Sequence, residues 1–264
     1  MGEWVYSLAA WQLAVLMVAL FEVVSLGGLF LARRFILPRL RYHDGINDAI
    51  SGTVQSIGVF YGITIGLIAV GVWNNYASVS ATASNEAAII AALYHDVSTY
   101  PEPARTEMQA DLVKYVQGIV DEDWPAHSRG TVPITGALHI GAIRNRLVSV
   151  EPTTKLQEIL YAETLSAFND LVKARRERVS VVVGGLSWPM WGVIWIGAAI
   201  SIAVGFFFYI EDSRVHAILI GLVAAFLGIV LFVIIVNDRP FAGPLAVAPA
   251  AYQALLDTVR QAPK

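Results

Sequence analysis

The chain has 264 residues, 56% of them hydrophobic and 15% charged, with a net charge of −3 and no cysteine. Soluble domains carry about 25% charge, so an ordinary water-soluble globule is a poor fit. The acidic balance offers no basic surface for nucleic acid, and the missing cysteines exclude disulfides and thiolate metal sites.

The charge deficit is uneven. Four stretches hold almost no charge, whereas Asn74 to Ser187 carries ten Lys/Arg and thirteen Asp/Glu. About 20 apolar residues in a helix cross a hydrocarbon core of about 30 Å. The first such stretch runs from Leu8 to Ala32, interrupted by Gln12 and Glu22. It is too long for a signal core, lacks a basic start and has no small-x-small cleavage site before Arg33, so it reads as a retained helix. The second runs from Thr53 to Trp73, the third from Trp188 to Ile210 and the fourth from Val215 to Val236. Lipid obliges each to satisfy its own backbone hydrogen bonds, so each is helical even through its glycines. Trp188, Trp191 and Trp195 are spaced to form an interfacial belt on the third helix. Glu211 to Arg214 leaves room only for a tight turn, so helices three and four form an antiparallel hairpin.

The stretch between helices two and three reads as helical throughout. Tyr76 to Val97 continues helix two, and Pro101 and Pro103 break it. Glu102 to Trp124 is an amphipathic helix with Met108, Leu112, Tyr115, Val116 and Ile119 on its apolar face, stopped by Pro125. His127 to Gly136 is a loop. Pro152 opens a long helix that ends in Lys173-Ala174-Arg175-Arg176-Glu177-Arg178. After helix four, residues 237–244 form a turn and Pro249 to Arg260 a short helix. The predicted fold is therefore all-α and polytopic. Its parts are residues 1–73 (helices one and two), 74–187 (inserted helical domain), 188–236 (helices three and four) and 237–264 (turn and terminal helix).

Orientation is nearly balanced by charge. Arg33, Arg34, Arg39 and Arg41 follow the first helix, and Lys173, Arg175, Arg176 and Arg178 approach the third from the opposite side. The positive-inside rule binds long inserts weakly, which tilts the count slightly toward an external insert.

Helix two carries the most information. Gly58, Gly62 and Gly66 sit four apart, a ladder on which another helix can approach closely, within the chain or from a second copy. A second line, Ile57, Tyr61, Thr64, Ile68 and Val72, suits either a core-facing stripe or a hydrophobic pore constriction. Glu22 is an intramembrane acid, either functional or buried and hydrogen-bonded, with Gln12 and Gln55 as candidate partners. Asp121-Glu122-Asp123 does not converge as a calcium loop does and reads as a solvated helix end. The histidines lack metal spacing. There is no phosphate loop with lysine and no nucleophile elbow. No catalytic role, cofactor or metal is expected.

Several segments together resemble the bestrophin-like family of bacterial and plant membrane proteins. They are the Gly-rich second helix, Glu86-Ala87-Ala88-Ile89, Tyr115-Val116 with Asp123-Trp124-Pro125, Ala174-Arg175-Arg176-Glu177-Arg178, and Asp238-Arg239-Pro240-Phe241-Ala242-Gly243. The last is the most specific. The sequence departs from the family just after helix two, where many relatives are basic and Asn74 to Ala83 carries no charge. Gly71-Val72-Trp73-Asn74-Asn75-Tyr76 is similar, more distantly, to the end of the pore helix of bestrophin anion channels.

The resemblance implies an oligomeric channel, a pentamer by analogy, with helix two around a path for small ions. Thr64, Ile68 and Val72 would form the apolar neck. It also implies a cytoplasmic insert in a multi-pass plasma-membrane protein. No acidic calcium clasp of the animal type follows helix four. Asp238, Arg239, Pro240 and Phe241 are expected to form a structural latch, Arg239 pairing with a carboxylate or capping helix four and Phe241 anchoring the turn. The alternative function is a non-conducting sensor or scaffold whose insert binds a partner. A proton-coupled transporter using Glu22 would more often show inverted repeats, and none is visible.

Overall fold

The computed structural model describes residues 8–40, 45–182 and 184–261; Arg41 lies outside them. Every regular element among the described residues is helical. They are α1 (Ala10–Leu31), α2 (Ile46–Asp96), α3 (Ala104–Gly118), α4 (Trp124–Ser128), α5 (Thr135–Ser149), α6 (Lys155–Val182), α7 (Trp188–Gly205), α8 (Ser213–Asp238) and α9 (Ala250–Gln261). α1, α2, α7 and α8 are long and apolar enough to cross a membrane. The fold is all-α and polytopic.

The chain divides into two compact units. A membrane unit holds the described residues up to Asn74, with Gly185–Asp238 and Gly243–Leu245. A second unit holds Asn75–Gly184, Arg239–Ala242 and the described residues from Ala246 onward. α2 supplies residues to both.

In the membrane unit α1 buries Leu13, Met17, Phe21, Ser25 and Leu29, each four residues from the last. That row packs on α8, which buries Ile220, Ala224, Leu227, Leu231 and Ile234. Gly228 permits the close approach: a β-carbon there would lie 2.9 Å from the Val18 Cα and 3.1 Å from the Met17 carbonyl oxygen. α7 adds Ile194, Ala198 and Ile202 to the same core. α2 attaches through Tyr61, Ile65, Ile68, Ala69 and Val72. The Tyr61 hydroxyl donates to the Ile194 carbonyl at 2.9 Å. Its ring fills the space a side chain at Gly197 would need.

These two kinds of glycine differ in what they tolerate. Gly228→Ala drives a methyl into α1 backbone, which cannot step aside. It should lower the thermal midpoint, with an overpacking cost of about 1–3 kcal/mol against a propensity gain of about 1 kcal/mol. Gly62→Ala meets nothing within 4 Å, and its midpoint should hold or rise. Equal midpoints for the two variants in one detergent would contradict the close α1–α8 contact.

The second unit has its own core. Val79, Ala83, Ile90, Leu93 and Val97 line one face of α2 and its end. They pack with Met108, Leu112 and Tyr115 of α3, Phe168 and Leu171 of α6, and Tyr252 and Leu256 of α9. Two expectations need correction. Pro125 does not stop the helical path. α3 passes through a π-helical turn, Ile119–Asp123, into α4, and Pro125 sits in the first turn of α4. The predicted loop from His127 is also shorter, because α4 reaches Ser128 and α5 begins at Thr135.

Candidate functional site

α2 turns three faces in different directions. Gly58, Gly62 and Gly66 have nothing within 4 Å of where a β-carbon would stand. The ladder therefore takes no part in packing within the chain; it opens instead onto an apolar groove beside α7 and α8. The proposed neck is split. Val72 is 5% exposed and sits in the core with Phe21, Ile194 and Leu231. Ile68 packs against that core and is half-buried, as is Thr64. Four residues turn a helix by about 400°, so a step-of-four line drifts about 40° per step. The line starts at the edge of the free face and ends in the chain's own interior. Val72, as placed, faces its own core and not an open axis.

The free face lies between. Phe60 is 74% exposed and Leu67 70%, and Ile63, Val70 and Trp73 are also exposed. Phe60, Thr64, Leu67, Gly71 and Asn74 alternate steps of four and three, the spacing that holds one side of a helix. Thr64 is the one member of the predicted neck on this line. A second groove, about 640 Å³, flanks it between Phe60, Thr64, Trp188 and Val193.

Other predicted positions fall elsewhere. Glu22 is half-buried on α1, against Gly221 of α8, where a β-carbon would lie 3.1 Å from its Oε2. Gln12, a candidate partner, instead accepts from the Ala9 N–H. Of the three tryptophans expected at the interface, Trp188 and Trp195 are exposed and Trp191 is half-buried. Trp191 packs on the core, and Trp195 stacks on Phe21 at 6.0 Å. Asp121 and Glu122 are exposed, but Asp123 is buried. No group of metal-binding side chains occurs among the described residues.

Asp123 belongs to a buried ionic cluster centred on Arg178. The Arg178 Nε donates to Glu86 Oε2 at 2.7 Å and its Nη2 to Asp123 Oδ2 at 3.2 Å. Tyr115 donates to Glu86 Oε1 at 2.6 Å, and Tyr252 to Glu86 Oε2 at 2.9 Å. α2, α3, the π-helical turn, α6 and α9 thus meet on one carboxylate and one guanidinium. Burial works against the Arg178 charge, but Glu86 outweighs it and holds the guanidinium protonated. Burial, and then Glu86, raises both tyrosines, so they remain hydroxyl donors. Burial raises Asp123 despite Arg178.

His127 Nδ1 lies 3.4 Å from Arg178 Nη1. A guanidinium only donates, so Nδ1 accepts and the ring proton is on Nε2. Burial, then Arg178 and Arg175, pushes the His127 pKa down to about 3. The unfolded chain therefore binds the extra proton from pH 6.5 downward while the folded chain refuses it. Stability should fall as pH drops from about 6.5 toward 3. Asp123, raised on folding, contributes with the opposite sign. The gap between the wild-type and His127→Gln thermal midpoints from pH 7 to pH 4 isolates the histidine. Parallel profiles would rule out the neutral buried ring.

Phe241 of the predicted latch packs beside this cluster, on His127. Asp238 ends α8 and accepts from the Leu186 N–H at 2.7 Å. Past it, the Pro240 carbonyl accepts from the Val247 N–H at 2.9 Å. Gly243 takes a φ of +95°, which only glycine adopts freely. Phe241 is buried edge-on against Trp124 and His127, each at 5.1 Å, so it anchors in the inserted unit. Arg239 is exposed.

Sequence reasoning did not single out Tyr252, His127 or the inward turn of Arg178. A signal existed for the last. Arg178 is in phase with Leu171, Ala174 and Val182 on the buried face of α6. Likewise, Glu86 is in phase with Val79, Ala83, Ile90 and Leu93 on α2. A charge on an apolar face is expected to be paired.

Residues 11–252 match the family model described as bestrophin-like domain. No curated protein and no solved structure matches the chain.

Proposed function

Because this chain belongs to the bestrophin-like family, we propose that it is an oligomeric membrane channel with α2 lining an ion pathway. One observation carries the proposal: α2 has a continuous apolar face, from Phe60 to Trp73, that the chain itself leaves uncovered. Around an axis of symmetry, copies of Phe60 and Leu67 would make a narrow apolar constriction, with Thr64 beside it and Asn74 at its end. Such a constriction closes by expelling water, with no charged plug. Ile68 flanks the pathway and Val72 supports it from the core. The ladder of Gly58, Gly62 and Gly66 lets an apolar neighbour lie close to α2. By analogy with bestrophins the assembly has five copies and conducts small ions. The ionic cluster and the latch hold the inserted unit together and take no part in catalysis. Mass measurement of the detergent-solubilised protein, followed by bilayer recording, tests the proposal. A monomer, or an oligomer that never conducts, would favour a scaffold.

The plasma membrane is the proposed location, with the inserted unit in the cytoplasm. The chain has no native cysteine, so a single Arg129→Cys, at an exposed position, reports the side directly. It should resist an impermeant thiol reagent on intact cells and react after lysis. Labelling of intact cells would invert the topology.

A further inference from the structure

The groove floored by Gly58, Gly62 and Gly66 has a volume of about 690 Å³ and an almost wholly apolar lining that includes Ile65, Val204 and Leu227. Along α2 it runs from Val54 to Ala69, about 22 Å at 1.5 Å per residue. One leaflet of the hydrocarbon core is about 15 Å deep, so the groove has the reach and chemistry of an acyl-chain slot.

One end of it is polar. His216 lines the groove and is 1% exposed. Its Nε2 donates to the Gly205 carbonyl at 3.0 Å, which leaves Nδ1 for another partner. That atom is buried and has no hydrogen-bond partner among the described residues. Ile210 lines the same end, and its carbonyl takes Arg33 Nη2 at 2.6 Å. Arg33 Nη1 is also buried without a partner among the described residues. Arg34, the next residue, is exposed. Buried polar atoms left unpaired are costly. Here one belongs to a guanidinium held on the carbonyl of a groove-lining residue, Ile210, and the other to a groove-lining imidazole.

We infer that this groove binds an anionic phospholipid with a hydroxyl-bearing headgroup, of the phosphatidylglycerol class. The acyl chain lies along the three glycines. The phosphate accepts from Arg33 Nη1, and a headgroup hydroxyl pairs with His216 Nδ1. This goes beyond channel activity and holds whether or not the protein conducts. The competing occupant is a helix of a second copy seated on the glycines.

The test is native mass spectrometry of the full chain, delipidated in detergent and re-equilibrated with phosphatidylglycerol or with phosphatidylcholine. Wild type should retain about one phosphatidylglycerol per chain, in preference to phosphatidylcholine. Arg33→Gln should weaken phosphatidylglycerol retention about tenfold, the scale of one charged hydrogen bond, and leave phosphatidylcholine unchanged. Gly62→Leu fills the slot and should expel the lipid while assembly mass stays the same. Equal retention of the two lipids by wild type, or no effect of Arg33→Gln, overturns the inference. So does loss of assembly in a folded Gly62→Leu protein, because a neighbouring helix then occupies the groove. Bilayer recording of the same samples separates this outcome from failure of the channel proposal.

Discussion

Phe60→Ala with Leu67→Ala should raise the conductance or leak of the purified oligomer severalfold over wild type. Both side chains stand more than two-thirds exposed on the same side of α2, so truncating them removes no packing within the chain. Their copies around an axis would set its narrowest apolar point, and a wider apolar neck wets more readily. Ile68→Ala with Val72→Ala is the contrasting pair. Val72 lies in the core with Phe21 and Ile194, so this pair should lower thermal stability through cavity formation and move conductance less. If wild type and the Phe60/Leu67 variant are both silent in bilayers, the channel proposal fails and the scaffold replaces it. If the Ile68/Val72 pair opens the pore more than the Phe60/Leu67 pair, the channel survives but α2 is rotated from the face assigned here.

Arg178→Ala should cost about 3–5 kcal/mol of stability in the inserted unit, the usual penalty for stripping the partner from a buried charge. The Arg178 and Glu86 side chains are both fully buried, so the carboxylates lose their counter-charge where solvent screens least. Glu86 and Asp123 would face each other's charge in the interior. Folded domains have only about 5–15 kcal/mol in hand, so the variant is expected to unfold far earlier in denaturant or to be degraded. Arg178→Met combined with Glu86→Gln and Asp123→Asn should recover much of the loss, since neutral groups of similar size do not need the ion pair. Wild-type stability for Arg178→Ala alone would mean that the cluster is not buried as described.

The four membrane helices were legible because hydropathy is a local property, and α1, α2, α7 and α8 each announce it. The long continuation of α2 was legible for a similar reason, as no proline occurs between Thr53 and Pro101. The direction in which each face of α2 points was not. A step-of-four line such as Thr64, Ile68 and Val72 looks like one stripe on paper, yet it winds from the surface into the core. Only the position of α7 and its Ile194 decides where on that line burial begins. The π-helical turn before Trp124 was equally hidden, because it is a single short segment, Ile119–Asp123, that shifts the apolar phase only once. The ionic cluster is the harder case. Its family motifs were visible one by one, but Glu86 and Arg178 are 92 residues apart and Glu86 and Tyr252 are 166 apart. Nothing local tells Arg178 from Arg175 or Arg176 except its phase with Leu171 and Val182.

That separation sets an order of events during synthesis. Glu86 leaves the ribosome before α7 and α8 exist, and its last partner, Tyr252, comes after both. Domains ordinarily fold from the N-terminus as they emerge, but this one must wait with an acid in its interior only partly partnered. The third and fourth membrane helices are inserted during that wait. Closure of the inserted unit therefore comes last: a nascent chain that stops before Tyr252 already holds α7 and α8 but lacks one of the two tyrosine donors to Glu86.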